Sequence, residues 1–182
     1  MEVRVKPYFY LFFIGAILGT FLDGLQTYGG VAYYTSPFVL KTAWWVPFLF
    51  GTATVAVAYS HCKLHPLFLA NSAPFWGSLG FLLVMCMMTA FWHTGNAQKT
   101  SLLFNFYLIS WGLFDRTPKS FFLAIGTALG GTAVEITLSF FDLYKYSQPD
   151  FLGVPYWLPA MYCHLSQTTG HLGRLLLASN ET

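Results

Sequence analysis

Apolar residues along this chain gather into six long runs, at about 7–27, 42–60, 72–93, 99–114, 119–141 and 155–177, each closed by a short polar or turn-forming stretch. Crossing the hydrocarbon of a bilayer as a helix takes roughly 20 predominantly apolar residues. The pattern therefore predicts six transmembrane helices, the fourth being the shortest and holding Asn105 and Ser110. The separators carry Gly29-Gly30, the stretch from His61 to Pro66, Gly95-Asn96, Pro118, and the stretch from Ser147 to Pro155. Such residues stop helices and turn the chain. No separator has room for a soluble domain. The expected fold is all-α: one compact six-helix membrane domain over residues 1–182.

Composition strengthens this picture. The chain is 55% hydrophobic and 20% aromatic, with only 9% charged residues. A soluble domain carries about 25% charge because something must face water, so this chain is expected to be integral to a membrane. Arg4 and Lys6 precede the first run as in a secretory signal, yet no small-x-small cleavage site follows and the run continues to about Leu25. It reads as an uncleaved first span. A net charge of +2 with no basic run gives no reason to expect a nucleic-acid partner. Cys62, Cys86 and Cys163 are odd in number and widely spaced, which suits packing and neither a disulfide framework nor a zinc site.

Charge also sets an expected orientation. With six spans, Arg4, Lys6, Lys63, Arg116, Lys119 and Arg174 fall on the side of the termini, and Lys41, Lys99 and Lys145 on the other. The excess of basic residues marks the cytosolic side, so both termini and the pair Asp115-Arg116 are expected there. On that side Asn180-Glu181-Thr182 is a chance match to the glycosylation pattern. Trp44-Trp45 and Tyr156-Trp157, at the starts of spans two and six, are expected at headgroup level. Gly126 and Gly130 in span five, with Gly131 and Ala133 beside them, predict a close helix–helix contact.

Ionisable residues at membrane depth are the first candidates for function, and here they are Asp23, Glu135, His164, His171 and Arg174. Glu135 is expected to face the bundle interior as a satisfied carboxyl or a polar site. His164 and His171 share a helix face, but seven residues separate them by about 10.5 Å, too far for one metal ion. His61 and His65 have ligand spacing without a third ligand. No nucleophile elbow, phosphate loop or metalloprotease motif is present, so no metal or organic cofactor is expected and the chain does not read as an enzyme.

Four stretches carry a family resemblance. Residues 147–177, SQPDFLGVPYWLPAMYCHLSQTTGHLGRLLL, resemble the last span of the Insig (insulin-induced gene) proteins through Pro149-Asp150-Phe151-Leu152, Trp157-Leu158-Pro159 and Gly173-Arg174. TAWWVPFLFGTATVAV at 42–57 resembles the second span, LISWGLFDRT the end of the fourth, and FLDGLQ at 21–26, more loosely, the first. The resemblance implies a six-span protein of the endoplasmic reticulum with cytosolic termini, a non-enzymatic adaptor that senses oxysterols. Its implied partners are sterol-sensing-domain membrane proteins, namely the escort protein Scap and HMG-CoA reductase, together with a membrane ubiquitin ligase. The family's partner-binding aspartate falls on Asp115, next to Arg116, and its sterol-associated residues fall on Gln98 and Trp111.

This chain departs from the family in a shorter loop before Gln98, in the absence of a long N-terminal extension, which leaves Lys6 as the lysine there, and in the charge at Glu135. Other classes stay open on sequence: a prokaryotic lipid-binding relative without Scap-type partners, an intramembrane lipid enzyme using Glu135 and a histidine, an assembly subunit, and a homo-oligomer.

Overall fold

The computed structural model describes residues 5–64 and 72–178. Arg4, the His65-Pro66 stretch and Asn180-Glu181-Thr182 lie outside the described residues. Six helices follow one another: α1 (Val5–Tyr28), α2 (Val46–Leu64), α3 (Ser72–Phe91), α4 (Asn96–Phe114), α5 (Pro118–Phe140) and α6 (Leu158–Ala178). Their lengths run from 19 to 24 residues, which at 1.5 Å per residue is about 28–36 Å, the thickness of a bilayer core. By length and composition α1, α3 and α5 are each apolar enough to cross a membrane. Large apolar side chains cover their outer faces, with Ile17 71%, Phe122 70% and Leu129 69% exposed.

The six expected spans thus appear as six helices, and local chemistry sets their ends. α4 closes where Arg116 takes a left-handed φ of 57° and its N–H reaches the Trp111 carbonyl at 2.9 Å, a helix-terminating turn. Thr117 then caps α5, its hydroxyl accepting from the Ser120 N–H at 3.3 Å, and Pro118 takes the first helical position. α1 ends at Tyr28 and the chain turns at Gly30, whose φ of 71° suits a residue without Cβ.

Two short strands were not foreseen from the sequence. β1 (Ala32–Tyr34) and β2 (Tyr144–Tyr146) pair antiparallel with Ala32 opposite Tyr146 and Tyr34 opposite Tyr144. An isolated two-stranded sheet is marginal in stability. This one is held by its inner face: Ala32, Tyr34, Tyr144 and Tyr146 are buried with Val46, Trp157 and Leu158, while Tyr33 and Lys145 alternate outward.

α6 is the pillar of the bundle and touches all five other helices. None of its described side chains is exposed. The expected close contact of α5 through Gly126 and Gly130 is not made, since both are exposed and nothing lies within 4 Å of where a Cβ would stand. The close approach runs one position away, at Gly131, where a Cβ would meet the Tyr162 ring at 2.4 Å. A single step along a helix rotates the side chain by about 100°, enough to move the pattern off the interface. Trp157 also departs from the headgroup-level expectation: it is 3% exposed, drawn inward by packing on Tyr146 and by its indole N–H, which donates to Asn96 Oδ1 at 3.3 Å.

Candidate functional site

The helices and the tyrosines of the strands line a cavity that is open on one side. One face of α1 contributes Gly19, Leu22, Asp23 and Gln26, the spacing of a single helical stripe. Leu82 and Cys86 come from α3, Glu135 from α5, and Met161, Tyr162 and Leu165 from α6. The walls are mainly apolar, with a few polar groups placed among them, as in small-molecule pockets generally. Tyr146 and Trp157 separate this cavity from a more polar recess that includes Asn96 and Lys99.

The polar groups are tied to the strands. Tyr34 OH donates to Asp23 Oδ2 at 2.8 Å. Glu135 accepts from two phenols, Tyr146 on Oε2 and Tyr162 on Oε1. Burial, reinforced by the neighbouring carboxyls, pushes the phenols of Tyr34 and Tyr146 up, so both stay protonated donors. Gln26 Nε2 donates to the Cys86 carbonyl at 3.1 Å and to Thr89 Oγ1 at 2.8 Å. Asp23 and Glu135 are legible in sequence as ionisable residues inside spans. Gln26 and the tyrosines escape notice because hydroxyl and amide groups are ordinary in such runs; the alternation within YKY at 144–146 is the one signal that sets two of them on a common face.

A second polar cluster lies at the other end of α6. Arg174 is 0% exposed. Its Nη2 donates to His171 Nδ1 at 2.8 Å and lies 3.5 Å from Asp115 Oδ2, and its Nη1 reaches His61 Nδ1 at 3.5 Å. A guanidinium only donates, so both imidazole Nδ1 atoms are acceptors and the ring protons sit on Nε2. His61 Nε2 faces Ser166 Oγ at 3.0 Å. Gly170 makes room for that ring, since a Cβ there would stand 2.4 Å from His61 Nδ1. Thr117 Oγ1 donates to Asp115 Oδ1 at 2.7 Å. Burial raises the Asp115 carboxyl, but hydrogen bonding from Ser120 and Thr117 and the positive charge of Arg174 outweigh it and hold the group below its ordinary range.

The residues singled out by sequence therefore do not form one site. Asp115 is buried and engaged within the chain, whereas Arg116 is exposed and its Nε donates to the Gly112 carbonyl. The charge that compensates Asp115 is thus Arg174, 59 residues later, and not Arg116. Gln98 is exposed in the first turn of α4, hydrogen-bonded to the Thr94 hydroxyl. Trp111 is half-buried against Phe121, with its indole N–H on the Thr117 carbonyl at 3.2 Å. Neither lines the central cavity, which does take in Glu135. His164 is buried, its Nε2 donating to the Ser78 carbonyl at 3.2 Å and its ring stacked on Phe81. Among the described residues no group of three or more His, Cys, Asp and Glu could hold a metal ion.

No protein-family model matches the chain. It is 30% identical over 186 residues to insulin-induced gene 1 protein of Danio rerio, covering 94% of this chain and 72% of that one. To insulin-induced gene 2 protein of Gallus gallus it is 30% identical over 181 residues, covering 91% and 78%. Among solved structures, a mycobacterial Insig homologue from Mycobacterium vanbaalenii superposes with a TM-score of 0.89 at 24% identity, over 98% of this chain and 97% of the other. A cross-linked trimer of the same homologue gives the same values. The fold is shared.

Proposed function

Because the chain belongs to the insulin-induced gene (Insig) protein family, we propose that it is a non-enzymatic membrane adaptor that binds a lipid, a sterol or oxysterol in the first instance, and couples its occupancy to recognition of membrane partners. The observation that carries the lipid-binding half is the mainly apolar cavity within the bundle, furnished with a few oriented polar groups. This half holds equally in a prokaryotic cell without Scap-type proteins. The partner half rests on the family: sterol-sensing-domain proteins such as Scap and HMG-CoA reductase, held in the endoplasmic reticulum or passed to a membrane ubiquitin ligase.

Placement of the individual residues gives these roles a form. Arg116 is the direct contact at the partner face because it is exposed, and Asp115 acts by holding the α4–α5 turn. Gln98 and Trp111 lie 13 positions apart on α4, about 20 Å along its axis. An oxysterol touching both would be elongated and lie along the outside of α4, a second lipid distinct from the occupant of the central cavity, completed there by a partner helix. For sterol to promote association, it must bind the complex better than the free protein.

The test is co-purification with a sterol-sensing-domain membrane protein, with and without added oxysterol, for wild type, Arg116→Ala and Asp115→Asn. Association that rises with oxysterol and falls in Arg116→Ala supports the adaptor reading. A folded protein that captures neither lipid nor partner refutes it.

A further inference from the structure

The central cavity is more than a greasy slot, because its lining holds two acids and the phenols of Tyr144, Tyr146 and Tyr162 stand around them. Asp23 and Glu135 both line it, and no Lys, Arg or His is among its lining residues. The phenolic hydrogens of Tyr34, Tyr146 and Tyr162 are already committed to those carboxyls. A third acceptor stands beside them: Gln26 is 8% exposed, its amide nitrogen is used twice, and its Oε1 is buried with no hydrogen-bond partner. Buried polar atoms are normally paired, and buried charges are normally matched by opposite ones. What this cavity lacks is a cation rich in hydrogen-bond donors.

From this, and resting on the reading of the cavity as a lipid site, we infer that the central cavity takes an amphiphile with a protonated primary amine at its head, the ammonium among Asp23, Glu135 and Gln26 and the hydrocarbon tail against Leu22, Leu82 and Leu165. An ammonium has three donors and no acceptor, and it meets three acceptors here. A sterol or fatty alcohol offers one hydroxyl hydrogen, fewer than the acceptors gathered here. A fatty acid brings a further negative charge and is repelled. A zwitterionic phospholipid is disfavoured for the same reason, since its phosphate comes with its amine.

The experiment compares dodecylamine, dodecanol and dodecanoate binding to the purified protein in a non-ionic detergent, read by calorimetry. Wild type is expected to prefer the amine over the alcohol by about tenfold or more, as charge-assisted hydrogen bonds outweigh neutral ones, and to bind dodecanoate weakest. Asp23→Asn and Glu135→Gln keep the shape and lose one charge each, and each shrinks the preference. The double variant brings the amine down to the affinity of the alcohol while the alcohol is unchanged. Gly130→Ala, on the outer face, keeps the wild-type preference and controls for partitioning into the micelle. Equal affinity for amine and alcohol in wild type, or a preference that survives in the double variant, overturns the inference and leaves the cavity as a neutral-lipid site. Binding of none of the three overturns the lipid reading as well.

Discussion

Arg174 on α6 and Asp115 at the end of α4 form a fully shielded ion pair, with Nη2 3.5 Å from Oδ2 and neither side chain accessible to solvent. An aspartate is poorly placed at a helix C-terminus, where the macrodipole favours cations. Here the opposing cation arrives from another helix, and the pair fastens the α4–α5 turn to the pillar of the bundle.

Removing one partner of a shielded pair leaves the other charge buried alone. Asp115→Ala is expected to lower stability by about 3–5 kcal/mol, measured by unfolding in non-ionic detergent. The double change Asp115→Leu with Arg174→Met recovers most of that loss. A loss below about 1 kcal/mol for Asp115→Ala, typical of exposed pairs, contradicts the buried bridge.

The same carboxyl predicts an acid limb. Its value in the folded protein lies below the ordinary 3.8, so its contribution is fully present above about pH 4 and is lost as pH falls through the folded value. Asp115→Asn flattens this limb. An unchanged stability profile between pH 2 and pH 5 in that variant would show that the limb belongs to other groups.

Gly170→Ala places a methyl group against the His61 ring and pushes α2 from α6. The expected cost is about 1–3 kcal/mol. Gly130→Ala, with open space around it, is expected to be neutral or to stabilise by about 0.5–1 kcal/mol through helix propensity. The reversed order would mean that Gly130, and not Gly170, stands at a close helix contact.

Trp111→Phe removes the indole bond to the Thr117 carbonyl but keeps an aromatic ring against Phe121. A stability loss of about 1 kcal/mol is expected, with dodecylamine binding unaltered because Trp111 lies outside the central cavity. Weakened oxysterol binding in this variant places the sterol along α4. Parallel losses for both ligands point instead to the cavity as their common site.

Helix number was legible because apolar length and turn residues such as Pro118 and Gly95-Asn96 act locally. What escaped the sequence was long-range. Nothing near Asp115 announces Arg174, and nothing in the glycines of α5 says that Gly131, not Gly126 or Gly130, meets a neighbour. The strands are three residues each and form only because the ends of α1 and α5 are brought together. Asp23 and Glu135 stood out as ionisable residues at membrane depth, yet their shared cavity depends on α6 seating between their helices.

α6 carries His164, Gln167, His171 and Arg174 with no described side chain exposed, so it meets protein where the other helices meet lipid. Such a segment is a reluctant entrant to a bilayer on its own, because ionisable and amide side chains are costly in hydrocarbon. Five helices precede it in the chain, and they supply the Ser78 carbonyl, Ser110 and His61 that receive its polar groups. The socket is thus synthesised before the plug. Seating α6 is a docking event into a socket already made, and a chain halted before Leu158 leaves those groups without their α6 partners, a mark by which an unfinished molecule differs from a finished one.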